Sequence, residues 1–577
     1  MNFSEIIKEN NLLGNKLSEK EIVDIRVLAN ISVNQLVPVL EYNLRGKGVN
    51  AKTTIGDYDN ILQESSLVNP NQIVIIFWEL SNLIDSFYFE IENADEDYYK
   101  LYINKVKGEL NLVFENLLNA KIVLFNKFSH LAYTSNSIKV GNFERFVNEL
   151  NQFLEGNLPK NFVLIDIDKS LANTSLEQSI DWRGLYTSKS LYSVSFFKTF
   201  SKFISPIVLS IFGKSKKAII FDCDNTLWKG VVGEDGVDGI GLSDKDKNGG
   251  YFKEIHLLAK YFAKQGIIVG LCSKNNSKDV DEVFAARKDF KLLESDVLIK
   301  KVNWNDKASN LKEMAKELNI GIDSFVFIDD SEFEINLIND KLPEVNTITV
   351  PVKLFEYPKL INDNKDFFYS INVSEEDKNR LKMYKQNQER ESEMGSFSDI
   401  EDYLGSLDIR LKIESKPQES FERLVQLTQK TNQFNLTTKR YATGEMQSVY
   451  DSNNWSVYSM EVSDKFGNSG VTGLCLVERN SDSARIDTLL MSCRILGRNI
   501  EKVFINEILK DVNQSGINKI HSQFVKTPKN AQVESYYENN GFTLVNADKN
   551  QKTYLFDFDQ QKINNNVNYI LVQWKKN

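Results

Sequence analysis

AIIFDCDNTLWKG, residues 218–230, joins an apolar run to two carboxylates, Asp222 and Asp224, that flank a single residue and are followed by Asn225 and Thr226. A short β-branched run closing in polar groups reads as a buried strand whose end carries chemistry. Side chains alternate along a strand, so Asp222 and Asp224 are expected on one side and Cys223 on the other. Carboxylates so placed meet one metal and one phosphoryl group. Asp222 is then a nucleophile that forms an aspartyl phosphate, and Asp224 the acid that protonates the leaving oxygen and later activates water.

Downstream, three further stretches supply matching parts. GLCSKN, 270–275, is a second apolar strand closing in Ser273, a hydroxyl suited to a phosphate oxygen. NWNDKASNLKEMAKELNI, 303–320, offers Asn305 or Asp306 as a helix cap, Lys307 in the first turn to offset phosphate charge, and Leu311, Met314, Ala315 and Leu318 as the buried stripe. SFVFIDDSEFE, 324–334, ends a third strand in Asp329 and Asp330, oxygen donors of the kind a hard Mg2+ ion takes. The strands and intervening helices predict a doubly wound parallel sheet. WKGVVGEDGVDGIGLS, 228–243, is too short for a large cap, which predicts a minimal cap over an open site completed by other domains or a bulky partner.

On the N-terminal side, IRVLANIS (25–32), IVIIF (73–77), KIVLF (121–125) and NFVLI (161–165) alternate with helical stretches and predict an α/β domain. On the C-terminal side, SVYSMEV (456–462), VTGLCLVE (471–478) and ARIDTLLM (484–491) read as antiparallel strands before a helix from about 499, an α+β arrangement. Between the second and third domains, SEEDKNRLKMYKQNQERESEM (374–394) is strongly charged without a wide apolar stripe, and predicts an exposed connecting helix or linker. The expected divisions are 1–205, 206–370, a linker at 371–402, and 403–577. A chain of 577 residues is too long for one core, which agrees.

No uninterrupted apolar run reaches the roughly 18 to 20 residues of a membrane span, and Met1–Asn11 lacks a signal-peptide pattern, so a cytoplasmic location without a membrane span is expected. Cys223, Cys272, Cys475 and Cys493 show no pairing or metal spacing and are expected as free thiols. A net charge of −10 offers no global attraction for nucleic acid, although Lys214, Lys216 and Lys217 form a local cluster able to meet an anion. His256, in YFKEIHLLAKYFAKQG (251–266), lies on an amphipathic pattern and is expected to be structural.

The order of Asp pair, Ser, Lys and Asp pair resembles the four motifs of the haloacid-dehalogenase (HAD) superfamily. That resemblance implies Asp222 as nucleophile, Asp224 as acid/base and as a metal ligand through its carbonyl, Thr226 and Ser273 on the phosphate, Lys307 as charge stabiliser, and Asp329 with Asp330 on magnesium. MSCRILGRNIE (491–501) resembles the acyl-CoA loop of GNAT acetyltransferases, with Asn499 where a small Gly or Ala is usual, and VESYYENNGF (533–542) resembles the following helix and turn. It implies a pantetheine arm, on CoA or a carrier protein, near Cys493, Arg494, Gly497 and Arg498. The first domain resembles the SGNH-hydrolase-like region, with ANIS at 29–32 in place of the nucleophile turn and no Asp-x-x-His at its end, which implies a degenerate, non-catalytic domain.

Together with QKTNQFNLTTKRY (429–441), FGNSGVTG (466–473) and TPKNAQVESYYENNGF (527–542), these segments resemble the FkbH-like family of HAD-IIIC enzymes. Lys229 replaces a glycine of that family's first motif. The resemblance implies transfer of a glyceryl unit from 1,3-bisphosphoglycerate, a three-carbon phosphorylated acyl donor, to the phosphopantetheine thiol of an acyl carrier protein with loss of phosphate. Cys272, beside Ser273, is the first choice for a relay thiol and Cys493 the second, with a buried strand role for Cys272 as the alternative. Competing readings are a phosphatase on another small substrate with a tail for a different acyl transfer, and a non-catalytic docking scaffold.

Overall fold

The apolar runs at 73–77, 122–126, 218–221, 268–273 and 325–329 are buried on both faces and become inner strands of parallel sheets. A computed structural model describes the chain except for residues 71, 85, 134–138, 243–248, 370–379, 395–396, 564–566 and 577. It is mixed α/β, with two five-stranded parallel sheets and a larger mixed sheet.

The chain divides into two compact units. One comprises residues 1–212 with 440–452, and the other 213–439 with 453–577. In the first, β1 (Val23–Ala29), β2 (Ala51–Ile55), β3 (Ile73–Phe77), β4 (Ile122–Asn126) and β5 (Phe162–Ile165) form a sheet in the order β2-β1-β3-β4-β5, parallel throughout. The ANIS turn follows β1, and there Asn30 is tied to the backbone of Glu79 in both directions, at 2.8 and 2.7 Å.

The helix Val194–Ile211 has 18 residues apolar enough on average to cross a membrane. Lys198 and Lys202 interrupt its run, which is why no uninterrupted stretch is visible in the sequence. Its Phe196, Phe197 and Phe200 rings pack around Phe77 of β3, as a core helix does. The division expected at 205/206 falls inside this helix. Ile207, Val208 and Ile211 continue its buried stripe past Pro206, and the unit closes at Phe212. The helix Thr443–Asp451, expected with the third domain, belongs to this first unit through the Lys121–Glu445 ion pair at 3.3 Å.

In the second unit, β6 (Ala218–Phe221), β7 (Ile268–Ser273), β8 (Ile299–Val302), β9 (Phe325–Asp329) and β10 (Asn346–Thr349) form a parallel sheet in the order β10-β9-β6-β7-β8. Alternate residues of β6 feed two cores: Ile219 and Phe221 on one face, Ala218 and Ile220 on the other. The insertion after β6 carries the short helix Val232–Gly239, broken at Gly236; its end at 243 lies outside the described residues.

The mixed sheet contains β11 (Ile409–Ser415), β12 (Phe434–Asn435), β13 (Trp455–Asp464), β14 (Gly467–Arg479), β15 (Ser483–Met491), β16 (Lys519–Val525), β17 (Thr543–Ala547), β18 (Gln551–Asp557) and β19 (Ile570–Lys576). Its order is β17-β18-β16-β15-β14-β13-β11-β19, with β12 against β15. β15 and β16 pair in parallel over Ser483–Arg485 and then part.

Residues 371–379 of the expected linker lie outside the described residues. The helix that follows, Arg380–Met394, is docked rather than exposed. Met383 and Tyr384 are buried, and Arg390 makes a two-bond pair with Asp464 at 2.7 Å each. Charge read along the sequence suggested solvent, but the carboxylate that takes this guanidinium comes from β13, 74 residues on.

Candidate active site

β6 and β9 pair with Phe221 opposite Ile328, and the Asp222 N–H extends that ladder by donating to the Ile328 carbonyl at 2.9 Å. The residues that follow, Asp222 and Asp329, therefore leave the two central strands side by side. The helix Lys307–Glu317 begins beside them. Asp306, of the two expected caps, accepts from the Ser309 N–H at 3.0 Å. Lys307 donates from Nζ to Asp222 Oδ1 and to Asp329 Oδ2, each at 2.7 Å. Asp330 adds a third carboxylate, and ligand atoms of Asp222, Asp329 and Asp330 lie within 4.8 Å of one another.

Asp222, Asp329 and Lys307 are buried. Burial pushes the Asp222 carboxyl up to about 7 against the pull of Lys307, and Asp329 is raised for the same reason. Burial would lower Lys307, but the two carboxylates outweigh it and hold the ammonium above its usual value. Asp330 is also raised, by desolvation and by Asp329.

Asp224 is fixed by the loop that follows β6. β6 ends at Phe221, so strand alternation does not extend over residues 222–224. The Asp224 carboxylate accepts from Trp228 Nε1 at 2.8 Å, the Val232 N–H at 3.0 Å and Asn275 Nδ2 at 2.8 Å. Its side chain is outside the three-carboxylate group. Gly230 closes this loop at φ +98°, where a Cβ would strike Asp235. Ser273 is buried and accepts from the same Asn275 amide at 3.3 Å. Thr226 is buried with its hydroxyl oxygen lacking a partner, while its carbonyl accepts from the Tyr357 hydroxyl at 3.2 Å. Asn275, Trp228 and Tyr357 drew no role from the sequence. Asn275 stands inside the GLCSKN stretch, but nothing in its spacing ties it to Asp224.

Cys272 does not join the cluster. Strand alternation turns it into the core beneath the helix Lys307–Glu317, where its sulfur donates to the Lys307 carbonyl at 3.8 Å and burial pushes its thiol well up. This placement fits the buried strand role that stood as the alternative to a relay thiol. Cys223 and Cys475 are buried too, and all four cysteines are free.

Cys493, Arg494, Gly497 and Arg498 sit together in the loop after β15, at the other end of the same helix. The Cys493 carbonyl accepts from Asn319 Nδ2 at 3.2 Å. Arg498 is engaged within the fold, since it pairs with Asp464 at 3.1 Å and donates to the Arg494 carbonyl at 2.9 Å, so its guanidinium does not point outward to a pyrophosphate. Gly497 takes φ +83° and Asn499 φ +60° before the helix Ile500–Gln514. Where β15 and β16 part, the chain itself fills the gap. The Leu436 N–H donates to the Leu489 carbonyl at 3.1 Å, and the Val525 N–H donates to the Leu436 carbonyl at 2.8 Å.

Asp222 and the Asp329–Asp330 pair thus stand at the ends of two central parallel strands, with Lys307 in the first turn of the helix beside them. A solved structure with this fold is the N-terminal part of the protein BF1531 from Bacteroides fragilis, which contains a phosphatase domain and was crystallised with magnesium. It is 22% identical, has a TM-score of 0.52, and covers 65% of this chain and 99% of its own. A putative GNAT-family acetyltransferase from Desulfovibrio desulfuricans aligns at 11% identity and a TM-score of 0.22, covering 26% of this chain and 99% of its own, a likeness too slight to build on. No protein-family model and no curated protein matches the chain.

Proposed function

We propose that the chain is a Mg2+-dependent phosphotransfer enzyme acting on a small acyl phosphate. The observation that carries the reading is the Lys307 ammonium bridging Asp222 and Asp329, with Asp330 beside them. Three carboxylates against one ammonium leave a net negative, all-oxygen donor set, which suits a hard divalent cation. Asp222, Asp329 and Asp330 would hold it, with the Asp224 carbonyl. Magnesium bound there supplies positive charge for the phosphoryl oxygens.

An Asp222 carboxylate oxygen attacks phosphorus, and the bond to the leaving oxygen breaks. Asp224, fixed by Trp228, Val232 and Asn275, gives a proton to that oxygen when it needs one. It then takes a proton from the water that attacks the aspartyl phosphate and frees phosphate. Lys307 keeps Asp222 oriented and offsets the charge of the transferring group.

The finer reading is glyceryl transfer from 1,3-bisphosphoglycerate to an acyl carrier protein, and it is supported by the resemblance to FkbH-like sequences alone. One observation favours a plain phosphatase instead. Cys493 is held by Asn319, just past the far end of the helix Lys307–Glu317, whose ends are about 15 Å apart at the helical rise. Incubating a phosphopantetheinylated carrier protein with the enzyme, Mg2+ and 1,3-bisphosphoglycerate separates the readings by intact mass. A glyceryl-sized gain on the carrier that disappears with Asp222→Asn supports transfer. Phosphate release with no gain on carrier or enzyme leaves the phosphatase. Loss of neither activity in Asp222→Asn would refute both.

A further inference from the structure

The first unit carries a cavity of about 240 Å³ at the carboxyl end of its parallel sheet. In the order β2-β1-β3-β4-β5 the chain leaves β1 for β2 on one side and returns to β3 on the other, so the turns after β1 and β3 diverge and leave a crevice. Asn30, just after β1, and Trp78, just after β3, both line the cavity. The Asn30 amide is spent on the Glu79 backbone. The backbone N–H and carbonyl of Trp78 are likewise taken, by the Asn126 side chain at 2.7 and 2.9 Å. The Trp78 side chain is only 5% exposed, yet its indole Nε1 meets no protein acceptor among the described residues and is not sealed from the cavity. An indole N–H so enclosed is costly without an acceptor, which an occupant of the cavity supplies.

The rest of the lining decides what kind of molecule fits. Ile61, Leu83 and Val106 make part of it apolar. Its charges are compensated within the protein: Lys105 stands 4.0 Å from Glu109, and Asp59, whose carboxyl burial pushes up, has Lys189 opposing that rise. No net charge is left to call for an ion, whereas the Asp59 carboxylate accepts hydrogen bonds and the Gln63 amide both donates and accepts. We propose that the cavity binds a neutral, hydroxyl-rich ring, either a free hexose or the hexose end of a glycan. One of its oxygens accepts from Trp78 Nε1, its hydroxyls donate to Asp59, and its C–H face meets the apolar residues. The volume suits a single small ring. The site lies wholly within the first unit and does not depend on phosphotransfer at Asp222.

Calorimetric titration of the full chain with glucose, galactose, mannose and N-acetylglucosamine tests it, with glucosamine and glucose 6-phosphate as charged probes. Saturable binding of at least one neutral sugar, with a Kd of about 1 mM or tighter, is the expected result. Trp78→Phe, which keeps a ring but removes the donor, and Asp59→Ala should each weaken that binding about tenfold. Asp59 is exposed, so its substitution keeps the test decisive if Trp78→Phe does not fold. Binding of the methyl glycoside as tightly as the free sugar assigns the site to a glycan end, and its loss assigns the site to the free sugar. Absence of saturable binding by all four neutral sugars overturns the proposal, as does tighter binding of either charged probe, or binding that neither substitution changes.

Discussion

His256 shows how one buried side chain ties the loop after β6 to the core and sets a pH limit on the fold. Its Nε2 lies 2.6 Å from the Leu227 carbonyl, one residue past Thr226, and its Nδ1 accepts from the Lys291 N–H at 3.4 Å. That pairing fits the neutral ring protonated on Nε2, and a second proton would meet an N–H head-on. Burial accordingly lowers its pKa from about 6.5 to about 4. A depressed value means stability is full above about 6.5 and falls as pH drops towards 4, by roughly 3 kcal/mol in all. Thermal melts from pH 7.5 to 4.5 should show that decline, and His256→Gln should flatten its slope in this window; an unchanged slope would contradict the assignment. Asn275 positions Asp224 and Ser273, so Asn275→Ala should lower kcat about tenfold or more with a small change in KM, measured as phosphate release. Asp222, Lys307, Asp329 and Asp330 were legible because each falls at a strand end or in a first helical turn, where pattern dictates direction. The partner that fixes Asp224 was not, because Asn275 comes from another strand end, 51 residues on. Nor was the placement of Cys272 settled, since alternation leaves the register at a strand's end open.

At the scale of elements, the helix Arg380–Met394 carries the sharpest lesson about charge. Asp464 receives both Arg390 and Arg498, and its side chain is almost fully buried. Removing the anion leaves two buried guanidinium groups facing each other. Asp464→Ala should therefore cost about 3–5 kcal/mol and raise hydrogen exchange in this helix, read by mass spectrometry peptide by peptide; unchanged exchange would show that the pair does not hold it. In the two parallel sheets β2, β8 and β10, with more polar residues and less complete burial, drew no expectation, whereas β1, β3, β4, β5, β6, β7 and β9 were readable from β-branched runs bounded by turns. The docking of this helix was not, because a charged pattern with few apolar residues looks the same whether its partner is water or a carboxylate from β13. The helix Val194–Ile211 failed in the opposite sense. Two lysines hid an average hydropathy high enough for a membrane, and the aromatic packing around Phe77 shows where that face goes.

For the whole molecule, the chain returns, which no linear division of the sequence can represent. Residues 440–452 leave the second unit, pack in the first, and rejoin. Gly444 lies so close to the Ala120 carbonyl that a Cβ there would collide with it. A cut at Phe212/Gly213 thus leaves part of the first unit on the second fragment. Fragments 1–212 and 213–577 produced together should co-elute in gel filtration, and Gly444→Val should separate them; independent elution of the wild-type pair would contradict this. The second unit has a further property of scale. Its carboxylate cluster and its Cys493 loop stand at opposite ends of one helix and one strand. Any activated group made at the first end and used at the second would have to cover the distance between them. If it travels untethered, the fraction that survives depends on dilution and on its lifetime towards hydrolysis. If it travels on a leash, the encounter rate follows the length of the leash, and yield becomes independent of enzyme concentration.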